Sequence, residues 1–578
     1  MTTTAPPAAA AGAGVSGAPV AAGVAARLVG LLGDPDTGEV ECAVDWAGPL
    51  RLPSAELAEE RAVQAACGVM HVHGLAAGRP EPLAVDFAST AAGILAAQGV
   101  TAALVARRRG GAVGGVRTSV GQAALFALGQ YLAAATAGTP ASYEAQLRPG
   151  APEFVSADGV RVEVEALRAE EWLRFWTCLD APRTAVRDGW RPFQSRFGTG
   201  VCALDPALAA AVRAVPFAAL RAAAEQSGAA LLPVREDPSA PEPVAPWTLA
   251  PLPPAPAPAA GDGAPAPHLP LAGLRVVEST RRVQGPLAGR VLQLLGARVL
   301  RIEPPGGDPM RGVPPMAGDC SARFSALNSG KDVAEIDFTT PAGRDAVREL
   351  ARDADVFLHN WAPGKAAHLG LDAADLHRVR PGLVYAWASG WGDALGPRPP
   401  LGTDYLVQAH SGLAAALRPG GEPPRPSLLT VTDVLGGLLS AQAALAGLLA
   451  RLRTGRGRYV VSSLYSASAL VPRPPRRALR GPLERPLATL DGYVWLAPET
   501  RAEPRRAARA LGAAADPAAL ADRARRLTGA ELRSLLADLG TPATSVCTDL
   551  AALAADPRFA PALRPGAHAS IRPPWEFA

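Results

Sequence analysis

The feature that most constrains this chain is an internal repeat of a long apolar segment. Residues 93–107 read GILAAQGVTAALVAR, and residues 437–451 read GLLSAQAALAGLLAR. Eight of the fifteen positions are identical without a gap, and they include glycine, leucine, glutamine and arginine as well as the abundant alanine. A repeat of this length indicates two related structural units in one chain.

The similarity extends beyond the apolar segment. Val63-Gln64-Ala65 matches Val407-Gln408-Ala409, and further matches follow at constant separations toward each C-terminal part. Asp86 precedes the first repeat as Asp433 precedes the second, with three additional residues before the glycine. We therefore expect Asp86 to be the counterpart of Asp433, with a structural or vestigial role.

These matches divide the chain into two related regions. Residues 1–23 are rich in Ala, Pro, Gly and Thr and predict a disordered lead-in. Residues 24–237 correspond to only the latter half of a second, complete region at residues 271–578. Between them, residues 238–270 contain twelve prolines, which predicts a semi-extended linker that joins no sheet. We expect the two regions to pack as a pseudo-dimer, the alternative being two independent domains.

Charge and cysteine content exclude several functional classes. The net charge is only +4, which argues against nucleic-acid or anionic-membrane binding. The six cysteines are scattered without metal-site spacing, so we expect a reducing, cytoplasmic location and no metal. Val434–Ala450 lacks charges over seventeen residues, but Ser440 and Gln442 interrupt it, which favours a buried core helix over a membrane span.

The second region opens with short apolar strands that alternate with amphipathic helices. Leu274–Glu278, Gly296–Glu303 and Ala354–Asn360 read as strands, with helical patterns between them. This alternation predicts an α/β fold whose parallel sheet is covered on both faces. Ligands of such sheets bind beyond the carboxyl ends of the strands, where Thr280–Pro286 and Asn360–Gly364 lie.

Asp433 stands between a β-branched segment and the second apolar repeat. An aspartate at this position is typical of a helix N-cap, because its oxygen accepts an unpaired backbone N–H and its charge suits the helix dipole. The same position would suit a nucleophile held at a substrate carbonyl. Spacing alone favours the cap and leaves both interpretations open.

The second region resembles the class III CoA-transferase family, the CaiB/BaiF or formyl-CoA transferase type, over nearly all of residues 271–578. The first region resembles the latter half of the same family. The similar stretches are Leu271–Glu278, Leu295–Asp308, Asn328–Lys331, Ala354–Gly364, Asp404–Gly412, Asp433–Gly457, Asp491-Gly492 and Asp556–Phe559.

The resemblance implies a fold and a reaction. The fold is a Rossmann-like domain with a smaller α+β domain, and the reaction moves CoA from an acyl-CoA thioester to a carboxylic acid. Asp433 matches the catalytic aspartate, which forms a mixed anhydride and then an aspartyl-CoA thioester, and Asp404 matches an acidic residue nearby. We expect the helix start to keep Asp433 ionised and the N–H groups of Val434–Gly437 to stabilise the oxyanion.

The resemblance also implies a binding site for CoA, which enters as a substrate and not as a tightly bound cofactor. His368 occupies the place of a phosphate-binding arginine, for which neutral imidazole is a poor substitute. The residues that match CoA contacts are Arg281, Arg282, Val283, Gln284, Lys331, Asn360, Trp361 and His368.

Two departures from the family pattern bear on function. Racemases of the family carry a histidine where this chain has Thr403, so a two-base proton transfer lacks a partner and CoA transfer is preferred. The Pro/Arg-rich segment Val471–Arg485 replaces a glycine loop that shields the active site in some members. The alternatives are an acyl-CoA racemase or isomerase, and a degenerate scaffold that binds CoA esters. Further homo-oligomerisation stays open.

Overall fold

The structure, a computed structural model, describes residues 14–138, 147–240, 244–254, 265–266, 268–538 and 540–578. It is a mixed α/β protein with parallel sheets. The strands are β1 (Val15–Gly17), β2 (Glu41–Asp45), β3 (Gly115–Ser119), β4 (Phe154–Val155), β5 (Arg161–Glu165), β6 (Ala230–Pro233), β7 (Trp247–Pro251), β8 (Arg275–Ser279), β9 (Arg298–Glu303), β10 (Met316–Ala317), β11 (Cys320–Ser321), β12 (Asp332–Glu335), β13 (Val356–His359), β14 (Val384–Ser389), β15 (Arg458–Ser463), β16 (Leu487–Ala488), β17 (Tyr493–Leu496), β18 (Ala543–Ser545), β19 (Leu563–Arg564), β20 (Ser570–Ile571) and β21 (Glu576–Phe577).

Helices cover both large sheets and fill the space between the regions. They are α1 (Pro19–Gly30), α2 (Glu60–Ala66), α3 (Val69–Gly74), α4 (Phe87–Arg107), α5 (Val120–Ala127), α6 (Gly129–Thr136), α7 (Ala169–Cys178), α8 (Arg183–Thr199), α9 (Pro206–Arg213), α10 (Phe217–Ser227), α11 (Gln284–Leu294), α12 (Ala322–Asn328), α13 (Pro341–Arg352), α14 (Lys365–Leu369), α15 (Ala373–Val379), α16 (Asp404–His410), α17 (Leu413–Ala416), α18 (Val431–Thr454), α19 (Leu464–Ser468), α20 (Pro498–Ala502), α21 (Pro504–Leu511), α22 (Pro517–Ala524), α23 (Gly529–Ala537) and α24 (Leu550–Ala555).

The largest sheet has the order β12-β9-β8-β13-β14-β15-β7 and belongs mainly to the second region. Its strands are parallel except for β7, which pairs antiparallel with β15. The expectation that residues 238–270 join no sheet is therefore wrong for β7. Proline is tolerated here because β7 is an edge strand and Pro251 stands at its end.

The first region has a sheet of its own, in the order β1-β2-β3-β21. The predicted lead-in is wrong from Val15 onward, because residues 15–17 form β1 and Pro19 begins α1; residues 1–13 lie outside the described residues. The expectation that this region holds only a latter half is also wrong. Its alanine-rich start is ordered because Ala21, Ala25 and Leu28 of α1 are buried in the core.

The repeated apolar segments form α4 and α18, which pack against each other in the centre of the molecule. Gln98 Nε2 donates to the carbonyl of Leu438 at 2.6 Å, and Gln442 Nε2 donates to Thr101 Oγ1 at 2.9 Å. Both helices are long and apolar enough to cross a membrane, yet 100% and 94% of their most apolar windows are buried inside the protein. The prediction of a buried core helix at 434–450 is confirmed.

The glycine that opens each repeat allows a close helix contact. A Cβ at Gly93 would lie 2.6 Å from the carbonyl oxygen of Ala21 in α1. A Cβ at Gly437 would lie 2.7 Å from the carbonyl oxygen of Gln284 in α11. Each core helix therefore meets the first helix of its own region at backbone distance, which explains the identity of this position in the repeat.

Each region has a smaller domain with a three-stranded sheet, β4-β5-β6 in the first region and β16-β17-β18 in the second. Each smaller domain packs on the other region. In the second region, Trp495 Nε1 of β17 donates to Glu59 Oε1 at 2.9 Å, and the Cys547 N–H donates to the carbonyl of Ala65 at 2.9 Å. In the first region, Phe197 of α8 stacks on Tyr405 with ring centroids 4.5 Å apart. The two regions thus exchange their smaller domains, and neither large sheet is completed by its own region alone.

We predict that Gly93→Ala and Gly437→Ala each lower the free energy of unfolding by about 1–3 kcal/mol, because the added methyl group overpacks a helix contact. The control is Gly23→Ala in α1, where no atom lies within 4 Å of the added Cβ. It should raise the stability by about 0.5–1 kcal/mol through helix propensity. Urea unfolding measures all three, and stabilisation by Gly93→Ala would contradict the packing account.

Candidate functional site

The candidate site is a cleft of about 680 Å³ at the carboxyl ends of β8, β13 and β14. This is the sheet edge where parallel α/β folds bind ligands. One wall comes from the second region and includes Asp404 and Asp433. The opposite wall comes from the smaller domain of the first region and includes Arg168, Glu171 and Phe197. The cleft therefore exists only because the two regions exchange domains.

Asp433 is the third residue of α18 and not its N-cap, which is Thr430. The helix start is held from outside by Asp404, a fully buried residue of α16. Asp404 Oδ1 accepts from Asp433 N at 2.8 Å and from Thr432 Oγ1 at 2.6 Å. Gln408 Nε2 donates to the second carboxylate oxygen of Asp404. The cap function expected of Asp433 thus belongs to Asp404, and the carboxylate of Asp433 stays available to the cleft.

The two carboxyl groups perturb each other. Burial raises the pKa of Asp433 well above its ordinary value, and the charge of Asp404 raises it further, whereas Arg282 lowers it. Burial also raises the pKa of Asp404 to about 6, against the opposing effect of its hydrogen bonds. Burial of this residue, of which only 9% is exposed, thus opposes the expected effect of the helix start in keeping Asp433 ionised.

The expected oxyanion site at Val434–Gly437 is also wrong. Since α18 begins at Val431, the Val434 N–H donates to the carbonyl of Thr430 at 3.1 Å, and the next amides lie inside the helix. A buried donor that faces the cleft exists elsewhere. Thr403 lines the cleft, and its hydroxyl oxygen is buried without a hydrogen-bond partner among the described residues.

The loop after β8 is fixed by Asn360. The Arg281 N–H donates to Asn360 Oδ1 at 3.0 Å, and Asn360 Nδ2 donates to the Arg281 carbonyl at 2.9 Å. Arg282 adopts a left-handed backbone with φ of 66°, and its guanidinium carbon lies 5.7 Å from the Phe197 ring centroid. Gln284 Nε2 donates to the Ser389 carbonyl at 3.0 Å. Arg281, Arg282, Gln284 and Asn360 all line the cleft, and their contact with CoA stays a prediction.

Other predicted CoA contacts lie elsewhere. Lys331 is a buried structural cation whose ammonium lies 2.8 Å from Glu278, and burial lowers its pKa to about 8. Val283 lines a separate cavity beside Gln130 and Val434. His368 is exposed on α14 and does not line the cleft. None of these three residues lines the cleft, and their contact with CoA stays a prediction. Val283 and His368 lie outside it because a short loop and a short helix each present neighbouring side chains to opposite sides.

Trp361 belongs partly to the site and partly to the core. It lines the cleft but is only 8% exposed, and its Nε1 donates to Ser279 Oγ at 3.1 Å. Phe197 and Lys365 are among the cleft residues that were not predicted. Phe197 comes from the other region, so no local pattern could indicate it. Lys365 follows Asn360-Trp361 closely, and a search for cations near that motif would have found it.

The counterpart of Asp433 in the first region is Ser89. Gln408 and Gly437 each lie 344 residues after their matches Gln64 and Gly93, and the residue 344 positions before Asp433 is Ser89. The contacts agree, because Glu60 caps α4 as Asp404 caps α18: its carboxylate accepts from Ala88 N at 2.9 Å and Ser89 N at 2.8 Å. The expected match of Asp86 to Asp433 is wrong, since Asp86 is the N-cap residue of α4.

Several known proteins are similar to this chain. The model of CoA-transferase family III matches residues 54–241 and 271–541. Mouse succinyl-CoA:glutarate CoA-transferase is 36% identical over 201 residues, which are 34% of this chain and 46% of the relative. Acetyl-CoA:oxalate CoA-transferase of Acetobacter aceti is 36% identical over 205 residues, which are 35% of this chain and 52% of the relative. The chain thus spans about half the length of the curated relatives it matches.

A solved structure is also similar. The crystal structure of a CaiB/BaiF family protein from Brucella suis matches with 27% sequence identity and a TM-score of 0.48. The match covers 53% of this chain and 92% of that protein.

We predict that Asp404→Ala lowers the free energy of unfolding by about 2–4 kcal/mol, because it leaves several buried donors without an acceptor. Asp393→Ala is the matched control, since Asp393 is an exposed residue of the same region, and it should stay close to wild type. Urea unfolding compares the two variants. Equal stability of both would show that Asp404 does not hold the start of α18.

Proposed function

Because the chain belongs to CoA-transferase family III, we propose that it moves CoA from an acyl-CoA thioester to a carboxylic acid. The observation that carries the proposal is the buried carboxyl group of Asp433, which faces a 680 Å³ cleft beside Arg282. Relatives named for succinyl-CoA and glutarate, and for acetyl-CoA and oxalate, support this reaction class.

In the first step, the ionised carboxylate of Asp433 attacks the thioester carbonyl. The carbon–sulfur bond breaks, CoA leaves as a thiolate, and an aspartyl–acyl anhydride remains. The thiolate then attacks the aspartyl carbonyl of the anhydride, which releases the donor acid as a carboxylate and leaves an aspartyl-CoA thioester. A carboxylate is a weak nucleophile, so its activity depends on being held at the carbonyl in a water-poor site.

The acceptor repeats the sequence in reverse. Its carboxylate attacks the aspartyl thioester, thiolate leaves, and the thiolate attacks the acyl carbonyl of the new anhydride, which restores Asp433. Arg282 faces this carboxyl group and favours its ionised form. The hydroxyl of Thr403 is a candidate donor to the oxyanion of each tetrahedral intermediate, because it is buried in the cleft wall without a partner among the described residues.

Cations at the mouth of the cleft are suited to the phosphates of CoA. Arg281 and Lys365 both line the cleft, and the pKa of Lys365 is lowered by burial and further by the charge of Arg281. Phe197 and the exposed edge of Trp361 offer aromatic surface to the remainder of the ligand. CoA enters here as a substrate, and the proposal includes no tightly bound cofactor.

Racemisation is disfavoured by the residues of the cleft. A two-base proton transfer requires a second base opposite the carboxylate. Thr403 stands at the expected histidine position, and no histidine is found among the described residues that line the cleft. His410, the nearest in sequence, packs against Trp391 and Tyr465 outside it.

We also propose that the chain is an internal pseudo-dimer with one reactive site, located in the cytoplasm. The exchange of smaller domains supports the pseudo-dimer, and the replacement of Asp433 by Ser89 in the first region supports a single reactive site. All six cysteines are free, which suits a reducing compartment.

We predict that Asp433→Asn abolishes CoA transfer, because the neutral amide cannot attack the thioester. Asp86→Asn, at the start of the sister helix, should retain most activity. Transfer is measured with succinyl-CoA plus glutarate and acetyl-CoA plus oxalate, the substrate pairs in the names of the relatives. Hydroxylamine should trap an activated Asp433 in wild type and in Asp86→Asn, but not in Asp433→Asn. Comparable loss in both variants would refute a single reactive site.

A second prediction concerns pH. Since the reaction needs ionised Asp433, kcat/KM should fall as pH decreases through the raised pKa of this group. Arg282 lowers that pKa, so Arg282→Gln should move the acid limb to higher pH. Arg281→Gln should change KM for CoA esters and leave the limb in place. An acid limb unmoved by Arg282→Gln would show that another group controls it.

A further inference from the structure

A second cleft, of about 530 Å³, lies at the start of α4 in the position that corresponds to the Asp433 cleft. Ser89 and Asp86 line it from α4, and Trp495 and Arg501 line it from the smaller domain of the second region. Residues 477–480 of the Pro/Arg-rich segment close one side. The Pro/Arg-rich segment, which the proposed reaction does not use, thus forms part of the wall of the second cleft.

The distinctive feature of the second cleft is a pair of poorly neutralised arginines. Arg418 is 6% exposed, and its Nε has no hydrogen-bond partner among the described residues; its nearest ion-pair distance is 3.8 Å, to Glu81. Arg480 Nη1 is likewise buried without a hydrogen bond within the described chain, and lies 3.7 Å from Glu422. Buried charges without close partners are costly, so such groups usually mark a binding function.

The carboxylates that line the cleft are engaged elsewhere. Glu59 pairs with Arg501 at 2.7 Å, and Asp86 pairs with Arg61 at 3.2 Å. Glu60 accepts from the Ala88 N–H at the start of α4, and Glu484 Oε2 accepts from Gly481 N at 2.9 Å.

Arg477 is held in place beside the pair of arginines. It adds a third guanidinium, which donates to the Glu422 carbonyl at 2.6 Å. The ion pairs of Arg418 with Glu81 and of Arg480 with Glu422 are 3.8 and 3.7 Å long, which is beyond hydrogen-bond distance. Burial lowers the pKa of Arg418 to about 10.

We propose that this second cleft is a non-catalytic binding site for a small oxyanion, a carboxylate or phosphate group held by Arg418, Arg477 and Arg480. Guanidinium groups bind such groups through paired, charge-assisted hydrogen bonds. Ser89 stands where the reactive carboxylate would be, and its hydroxyl donates to Glu60 at 2.6 Å. The cleft can therefore hold an anion next to α4 without forming an anhydride. The proposal does not depend on CoA transfer at Asp433.

Isothermal titration with succinate and with inorganic phosphate, at low ionic strength, tests the proposal on the full chain. The variant Ala478→Glu adds a carboxylate from an exposed position on the cleft wall. It should weaken binding at least tenfold by repulsion. Ala514→Glu, at an exposed alanine outside the cleft, should bind as wild type does. Binding of only one probe would assign the source of the oxyanion, and binding of neither would overturn the proposal.

Two further variants separate the clefts. Arg418→Met should abolish binding of the probe. Urea unfolding confirms that this variant folds, and if Arg418→Met does not fold, Ala478→Glu provides the test. Arg282→Met changes only the Asp433 cleft and should leave this binding event intact. Loss of binding in Arg282→Met together with retention in Ala478→Glu would place the anion at the Asp433 cleft and overturn the proposal.

Discussion

The carboxylate of Asp404 is the contact on which the site depends. The first turn of a buried helix carries backbone N–H groups that no residue of the same helix can satisfy. Asp404 accepts one of them, the N–H of Asp433, together with the hydroxyl of Thr432. This leaves the Asp433 side chain free of any capping role and directs it to the cleft. Glu60 makes the same contact at the start of α4. Both regions therefore cap their core helix with a buried acid. Only the second region places a further carboxyl group, that of Asp433, beside the cap.

This separation of scaffold and chemistry explains how the chain maintains two similar clefts with different contents. Both core helices have a buried acid at their start and a glycine at the contact with the first helix of their region. Glu60 and Asp404, and Gly93 and Gly437, thus meet the same packing requirement. The capping acid accepts from the backbone N–H of Asp433 or Ser89, and this contact does not constrain their side chains. The first region has Ser89 at the position of Asp433 and keeps the same helix start, and cations line the space in front of it. Fold and function thus diverge at a single helical turn.

The repeat, the parallel sheet and the position of Asp433 were predictable because each depends on local periodicity or on residues close in sequence. Strands β8, β9 and β13 and the loop after β8 were identified in this way. Lys331 lies outside the cleft because its position depends on Glu278, a residue 53 positions earlier, with which it pairs in the core. Phe197 was missed because the wall it forms belongs to the other region. The β7 strand was missed because the proline count of a whole segment obscured five residues that pair at a sheet edge.

The raised pKa of Asp433 follows from the same architecture and has a chemical consequence. Burial between two regions removes water from the carboxyl group, and Asp404, which must be close to cap the helix, adds a like charge. Both effects reduce the ionised fraction, but a carboxylate of higher pKa is also the stronger nucleophile once ionised. Arg282 lies on the opposite side and restores part of the ionised population. The strained left-handed backbone of Arg282 is maintained by the clamp of Asn360 on its neighbour, so the cation that balances the acid pair is itself positioned by the sheet edge.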